Sequence, residues 1–290
     1  MGYTTSPLRY PGGKTRLANF IKLVYNRNDL CGGHYVEPYA GGAGIAWSLL
    51  FHDVVAHVHI NDLSKPVYAF WGSVFRDTQN LCRLIQDTPV TMENWFHQKS
   101  IQENPIQHTN LEFGFSTFFL NRTNRSGIIR GGVIGGKNQE GKWKLSARYN
   151  KSALIERIER IARYKTSVTV YNQDAAAFII KVLPEIPFRS LVYLDPPYYT
   201  KGPELYENYY KHEDHVTIAK LATKRIKQRW IVSYDNMPEV RKLYKGLGKL
   251  NYKLSYSAAD RYKGVEVMFF SNNLKVPTVE DPTRTAQFKN

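Results

Sequence analysis

Short strand-forming runs, each leading into a segment of helical spacing, constrain this chain more than any other feature. HYVEP at 34–38 runs into a Gly-rich turn and then GIAWSLLF at 44–51, while SVTVY at 167–171, SLVYL at 190–194 and RWIVSYD at 229–235 precede helical patterns at 174–182, 212–227 and 238–245. VVAHVHIND at 54–62 alternates and stops at Asn61 and Asp62. Strands that are apolar along most of their length are buried on both faces, and strand–helix–strand succession brings them back parallel. The expected fold is therefore α/β, a largely parallel sheet covered by helices, with further strands at 253–257 and 265–270 and a first helix over 14–26.

Between 64 and 166 the character changes. Helical patterns at 66–86, 91–103, 111–121 and 150–163 surround NRTNRSGIIRGGVIGG (121–136), which has no helical period and is dense in turn formers, hence a loop or hairpin. The expected division is a sheet domain made of 1–63 and 167–275, a mainly helical insertion at 64–166 and a loose tail at 276–290. The chain carries a net charge of +15, and residues 115–165 account for +9 of it, with twelve basic and three acidic side chains. Phe118, Phe119, Trp143 and Tyr149 lie among them. A basic, aromatic-interleaved segment points to a polyanionic partner, nucleic acid before membrane.

Three motifs carry chemistry. Asp195-Pro196-Pro197-Tyr198 directly follows SLVYL, at the strand end where open α/β sheets present ligands. An exocyclic amine is a poor nucleophile because its lone pair is delocalised into the ring. The Asp195 carboxylate and the Pro196 carbonyl can accept its hydrogens and draw density onto nitrogen, with Tyr198 stacking on the base; methyl transfer then needs mainly positioning and electrostatics. The second motif, Glu37-Pro-Tyr-Ala40-Gly41-Gly42-Ala-Gly44, joins a strand to a helix, and its spacing is not that of a dinucleotide fingerprint. Asp62, ending the next strand, is placed to accept from ribose hydroxyls. The third is Arg9-Tyr10-Pro11-Gly12-Gly13-Lys14. Gly13-Lys14-Thr15 is not a P-loop, because Leu8 stands where that motif requires glycine and no strand precedes it.

RYPGGK, EPYAGGAG, IND and DPPY, in this order with a basic insertion between the third and fourth, resemble the Dam-type (D12 class) N6-adenine DNA methyltransferases over residues 7 to 270. The resemblance implies a Rossmann-like methyltransferase sheet with an inserted DNA-recognition domain carrying a hairpin, and S-adenosylmethionine as cofactor. It implies that Tyr10 and Lys14 contact the methionine end of that cofactor, that Glu37, Ala40, Gly41 and Gly42 underlie it, that Asp62 takes the ribose and Asp174 the adenine. Asp195, Pro196 and Tyr198 would receive a flipped adenine. The hairpin departs from the family pattern at Ser126, where Asn is usual, and at Arg125, where an aromatic is common. Arg122, Arg125 and Arg130 are the expected groove-facing residues, with Arg130 placed to read guanine. GATC or a related short site in double-stranded DNA is the expected target, in a restriction-modification system or alone.

Other expectations are negative. Cys31 and Cys82 cannot build a disulfide framework, and neither His57 with His59 nor His212 with His215 brings an obvious third ligand, so no metal is expected. No run is long enough to span a membrane, and MGYTTSPLRYPGG lacks the apolar core of a secretory signal. The Gly2 and Ser6 match to a myristoylation pattern is too short to weigh. A monomer, cytoplasmic and DNA-associated, is expected. Two rivals stay open: the same cofactor acting on RNA adenine, cytosine N4 or a protein glutamine amide, and a non-catalytic DNA-binding protein on a methyltransferase scaffold.

Overall fold

The computed structural model describes residues 5–10, 13–199, 209–255 and 263–286. Its chain separates into two compact units, one holding 64–166 together with the N-terminal segment up to Gly13, the other holding 14–63 and everything from Ser167 on.

The second unit is built on one seven-stranded sheet. Its strands are β1 (Gly33–Glu37), β2 (Val55–Asn61), β3 (Val168–Tyr171), β4 (Ser190–Leu194), β5 (Arg229–Asp235), β6 (Lys249–Ser255) and β7 (Lys263–Phe270). The order is β3-β2-β1-β4-β5-β7-β6. The first five run parallel; β7 is antiparallel to both β5 and β6. Strand order reverses between β1 and β4, so their carboxyl ends flank the switch point where sheets of this kind bind ligands. Helices α8 (Ala175–Lys181), α9 (His212–Lys224) and α10 (Pro238–Leu243) cover one face, packing Phe178, Ile179, Ile218, Ala222 and Val240 onto Val36, Val192, Leu194, Val232 and Phe269. Each such Val, Leu, Ile or Phe side chain contributes about 1.5–3 kcal/mol when buried from water. Helices α1 (Ala18–Arg27) and α2 (Gly44–Leu50) bring in the buried Phe20, Ile21, Val24, Tyr25 and Trp47.

Helix limits follow local chemistry. Asp174 begins α8 by accepting from the Ala176 and Ala177 amides, and Pro238 sits at the first turn of α10, where its missing N–H costs nothing. Strand β6 begins four residues before the expected 253. From Lys275 the chain is tied in as far as Thr285: Asn28 bonds both the amide and the carbonyl of Lys275, Asn19 donates to the Thr285 carbonyl at 3.0 Å, and Pro282 is buried. Looseness, expected from polarity alone, gives way to these backbone bonds.

In the first unit the helices are α3 (Lys65–Arg76), α4 (Thr78–Asp87), α5 (Met92–Glu103), α6 (Asn110–Thr123) and α7 (Lys151–Ala162). The single helix expected over 66–86 breaks at Asp77, whose backbone (φ −144, ψ 47) leaves the helical region. Thr109 and Glu112 close a capping box at the start of α6. There α3 and α6 approach so closely that a side chain at Gly114 would meet Ser73 Oγ at 2.5 Å and the Ala69 carbonyl at 2.7 Å. Phe118 stacks on Phe70, and Phe118, Phe119 and Tyr149 are all buried together. Three of the four aromatics read as interleaved with the basic surface are therefore core, Phe118 and Phe119 on α6 and Tyr149 in the turn before α7; Trp143, 60% exposed, is the exception.

Candidate active site and DNA-facing hairpin

Five carboxyl ends of parallel strands deliver polar groups to one edge of the sheet. Asn61, fully buried at the end of β2, stitches three of them together: its amide donates to the Pro38 and Gln173 carbonyls at 3.0 and 2.9 Å and accepts from the Gln173 amide at 2.9 Å. The Ala40 amide donates to the Asn61 carbonyl at 2.9 Å, and the Ala43 amide closes a turn on the Ala40 carbonyl. Gly41 (φ 46) and Ala43 (φ 49) are left-handed, a conformation that glycine reaches without strain and alanine does not. Asp62 Oδ2 accepts from the Gly41 amide at 2.8 Å, and the Gly42 carbonyl accepts from the Trp47 indole at 3.1 Å. The Gly-rich turn is thus a preformed cradle, held from below by Asn61 and from the side by Asp62.

Glu37, at the floor of this turn, is buried. Tyr35 donates to its Oε1 at 2.8 Å, while Oε2 has no hydrogen-bond partner among the described residues. Burial pushes its carboxyl up to about 8, opposed by the Tyr35 hydrogen bond and assisted by the negative Asp195. An orphaned buried acceptor beside an open turn is what a ligand ammonium would satisfy.

Asp195 leaves β4 with its side chain 23% exposed, next to two almost wholly enclosed ions: Lys14 at 2% and Glu266 at 0%. Lys14 Nζ lies 3.0 Å from Asp195 Oδ1, 3.2 Å from its Oδ2 and 3.5 Å from Glu266 Oε1. Ser233 on β5 donates to Asp195 Oδ1 at 2.7 Å. Burial raises the Asp195 carboxyl above its usual range; Lys14 opposes that and Glu266 adds to it. Pro196 is buried and Tyr198 nearly so: its hydroxyl donates to Glu266 Oε1 at 3.0 Å and accepts from Lys14 at 3.2 Å, with the ammonium 5.0 Å from the ring centre. Beyond it, the Tyr199 amide is anchored on Asp235 Oδ1 at 2.9 Å. The fold therefore brings Lys14, Glu37 and Asp195 into one electrostatic neighbourhood. Burial raises the Tyr210 phenol, which pairs with Tyr39 at 3.0 Å, and the charges of Asp174, Asp214 and Asp62 add to it. Asp174 spends Oδ1 on the α8 cap and is otherwise exposed. Tyr10 belongs to the other unit.

Sequence reading missed Asn61 as a stitch, Ser233, Asp235, Tyr252 and Glu266. Only Glu266 carried a signal: a lone acid inside the apolar run VEVMFF.

In the helical unit, two buried asparagines frame the hairpin. Asn121 exchanges hydrogen bonds with the backbone of Arg9 at 2.7 Å each way and donates to the Gly127 carbonyl at 2.7 Å. Asn124 accepts from the Trp95 indole at 2.7 Å and donates to the Ile128 and Ile129 carbonyls at 3.0 and 2.8 Å. Gly127 (φ 78) is obligatory, since a side chain there would stand 2.2 Å from the Arg9 carbonyl. The ladder itself is one bridge, Asn124 to Val133. Arg125 and Arg130 are exposed on it, and Ser126 adopts φ 56. Arg122 is half-buried instead: it donates to the Arg148 carbonyl at 2.7 Å and the Pro7 carbonyl at 3.4 Å, and burial beside Arg9, Arg157 and Arg148 pulls its guanidinium down to about 9.

Among the described residues no group of three or more His, Cys, Asp or Glu could hold a metal ion, and no helix is long and apolar enough to cross a membrane. Comparison with curated proteins gave no match. Among solved structures, a "putative RNA methyltransferase" of Pyrococcus horikoshii is 12% identical, with 91% of this chain and 88% of that one covered at a TM-score of 0.45. The rRNA methyltransferase aviRa of Streptomyces viridochromogenes is 10% identical, with 91% and 86% covered at a TM-score of 0.36. Sequence is decisive where these likenesses are not: the model of the D12 class N6 adenine-specific DNA methyltransferases matches residues 10–258. The chain belongs to that family, and is accordingly an S-adenosylmethionine-dependent enzyme that methylates adenine in DNA.

Proposed function

We propose that this enzyme methylates N6 of an adenine flipped out of duplex DNA, within GATC or a related short site, and that Asp195 is the residue on which the reaction turns. The observation carrying this reading is the Asp195 carboxylate itself: it is the one member of a buried ion cluster that reaches open space, fixed by Ser233 and Lys14 at the carboxyl end of β4. Asp195 and the Pro196 carbonyl accept the two amine hydrogens. Tyr198, braced through its hydroxyl, forms the aromatic wall of the base pocket.

When bound, S-adenosylmethionine supplies an electrophilic methyl on sulfur. The residues present fit it. Glu37 Oε2 is a buried acceptor awaiting an ammonium, the left-handed turn at Gly41 and Ala43 offers close backbone approach, and Asp62, bonded to the Gly41 amide, takes the ribose in this reading. Lys14 serves its carboxylate end, Ala40 and Gly42 shape the floor, and Asp174 takes the adenine. Extruding the target base costs a few kcal/mol. Arg125 and Arg130 on the hairpin, with the exposed basic set around them, supply the compensating DNA contacts, Arg130 reading a base and Ser126 shaping the tip. Arg122 supports this surface from behind through Arg148. In this reading residues 64–166 are the recognition module and the sheet unit the catalytic one.

The test is transfer of labelled methyl to unmethylated genomic DNA, followed by methylation-sensitive sequencing, with Asp195→Ala in parallel. N6-methyladenine in one short motif, and less than a few per cent of that signal from a folded Asp195→Ala, is the expected result. Label on RNA or protein instead would overturn the assignment of the basic hairpin, and an active Asp195→Ala would overturn the assignment of the carboxylate.

A further inference from the structure

Glu266 has no place in the reading above, yet it is an expensive residue to keep. It stands on β7, opposite Asp235 of β5 and Tyr252 of β6, with its side chain wholly enclosed. An apolar residue in that strand would avoid the desolvation of a buried carboxylate. Instead Glu266 is fitted with partners on both oxygens: Oε1 accepts from Tyr198 at 3.0 Å and faces Lys14 at 3.5 Å, and Oε2 accepts from Tyr252 at 2.5 Å. Lys14 consequently lies between two carboxylates. With Glu266 absent, the ammonium, which already lies 3.0 and 3.2 Å from the two Asp195 oxygens, would lose its competing carboxylate and bind Asp195 more tightly, at the expense of a target amine. The Tyr198 hydroxyl would also lose its acceptor, freeing the ring.

We propose that Glu266 is a positioning residue for methyl transfer: it shares the Lys14 cation with Asp195 and pins the Tyr198 hydroxyl, so that the Asp195 carboxylate stays available to the target amine. This rests on Asp195 being the amine acceptor. Besides burial, the groups acting on Asp195 are Lys14, Glu266 on β7 and Ser233 on β5, while Asp195 in turn raises Glu37 on β1, Tyr193 on β4 and Tyr252 on β6. Among the charged ones, Lys14 holds its proton affinity down and Glu266 holds it up. Removing the Glu266 charge therefore stabilises ionised Asp195, and the acid limb of activity moves to lower pH.

The experiment measures kcat and KM of the full chain on unmethylated genomic DNA between pH 5.5 and 9, for wild type, Glu266→Gln, Glu266→Asp, Tyr252→Phe and Asp195→Ala, with thermal melting as the check of folding. Glu266→Gln is expected to lower kcat at neutral pH roughly tenfold, to leave KM for S-adenosylmethionine within about threefold, and to move the acid limb down by about one pH unit. Glu266→Asp, which keeps the charge, should restore the position of the limb. A folded Glu266→Gln enzyme with an unmoved acid limb overturns the inference while Asp195→Ala remains inactive. Should Glu266→Gln fail to fold, Tyr252→Phe decides: a several-fold fall in kcat at unchanged KM supports the role, and an unchanged kcat overturns it. An active Asp195→Ala removes the basis of both proposals together.

Discussion

At the scale of single residues, Glu37 and Asp195 show how a site can be prepared by burial. Both carboxyls sit above their ordinary range because the sheet edge has taken water from them, but Asp195 has a lysine to hold its charge and Glu37 does not. With its proton affinity near 8, Glu37 is mostly neutral at pH 7, whereas a bound ammonium favours the ionised form. Cofactor binding should then release a proton, and affinity for S-adenosylmethionine should rise with pH up to about 8 and level off above it. Titration calorimetry in buffers of different ionisation enthalpy would show the released proton, and Glu37→Gln should abolish the pH dependence while weakening binding about tenfold. Identical affinities at pH 6.5 and 8.5 in the wild-type chain would exclude this role. The identity of Asp195 was legible in the sequence, as was the acid at Glu37, since both stand at strand ends in motifs with a chemical rationale. Their electrostatics were not. Ser233 and Glu266 reach Asp195 across strand pairings with partners 38 and more residues away, and no local pattern announces a cross-strand neighbour.

Among the elements, the parallel strands and the helices of the sheet unit were readable because apolar runs and helical spacing are direct consequences of burial. The break at Asp77 and the early start of β6 were not, since both depend on packing partners rather than on local periodicity. The hairpin was legible as irregular chain, but its rigidity comes from side-chain amides of Asn121 and Asn124, which composition alone reads merely as turn formers. Asn124→Ala would strand the Trp95 indole and two carbonyls, and should cost about 3 kcal/mol of stability in chemical denaturation. A loss below about 1 kcal/mol would mean that the tip supports itself. Strands β1 and β2 carry a second unannounced device: His34 stacks on His59 with His57 tilted against both, and His34 Nδ1 and His59 Nε2 are 3.0 Å apart. Burial first, then the neighbouring rings, pulls His59 down to about 3. The unfolded chain binds this proton below about 6.5 and the folded chain does not, so the His59 contribution is complete above pH 6.5 and is lost progressively as pH falls toward 3. Glu37 works in the opposite sense between about 8 and 4.5, so total stability mixes the two. The informative quantity is the difference between wild type and His59→Gln: the wild-type melting temperature should fall more steeply from pH 6.5 to 5. Parallel curves would show that the imidazole stack does not govern acid stability.

For the molecule as a whole, the charge map sets how DNA binding responds to its surroundings. Each phosphate neutralised by the exposed basic set adds about 0.9 to the slope of log affinity against log salt. Arg125→Ala should reduce that slope by about one on any sequence, whereas Arg130→Ala should cost about 1–3 kcal/mol on the preferred site and little elsewhere. Filter binding over 50–200 mM salt on matched and scrambled duplexes separates the two; equal losses on both duplexes would deny Arg130 a base-reading role. The sequence made the concentration of charge visible, but not that Arg122 is turned inward while its two hairpin neighbours stay exposed.

Residues 5–10 bind the helical unit through Asn121 and Asn124, although 50 residues of the sheet unit separate them from it in the chain. The helical unit is therefore not a cassette with one entry and one exit. Anyone exchanging this module with that of a relative would have to transplant two pieces of gene, the codons of residues 5–10 along with the central block. A graft of 64–166 alone would set a foreign segment against Asn121 in place of residues 5–10, and such chimeras should fail in solubility before their specificity could be tested.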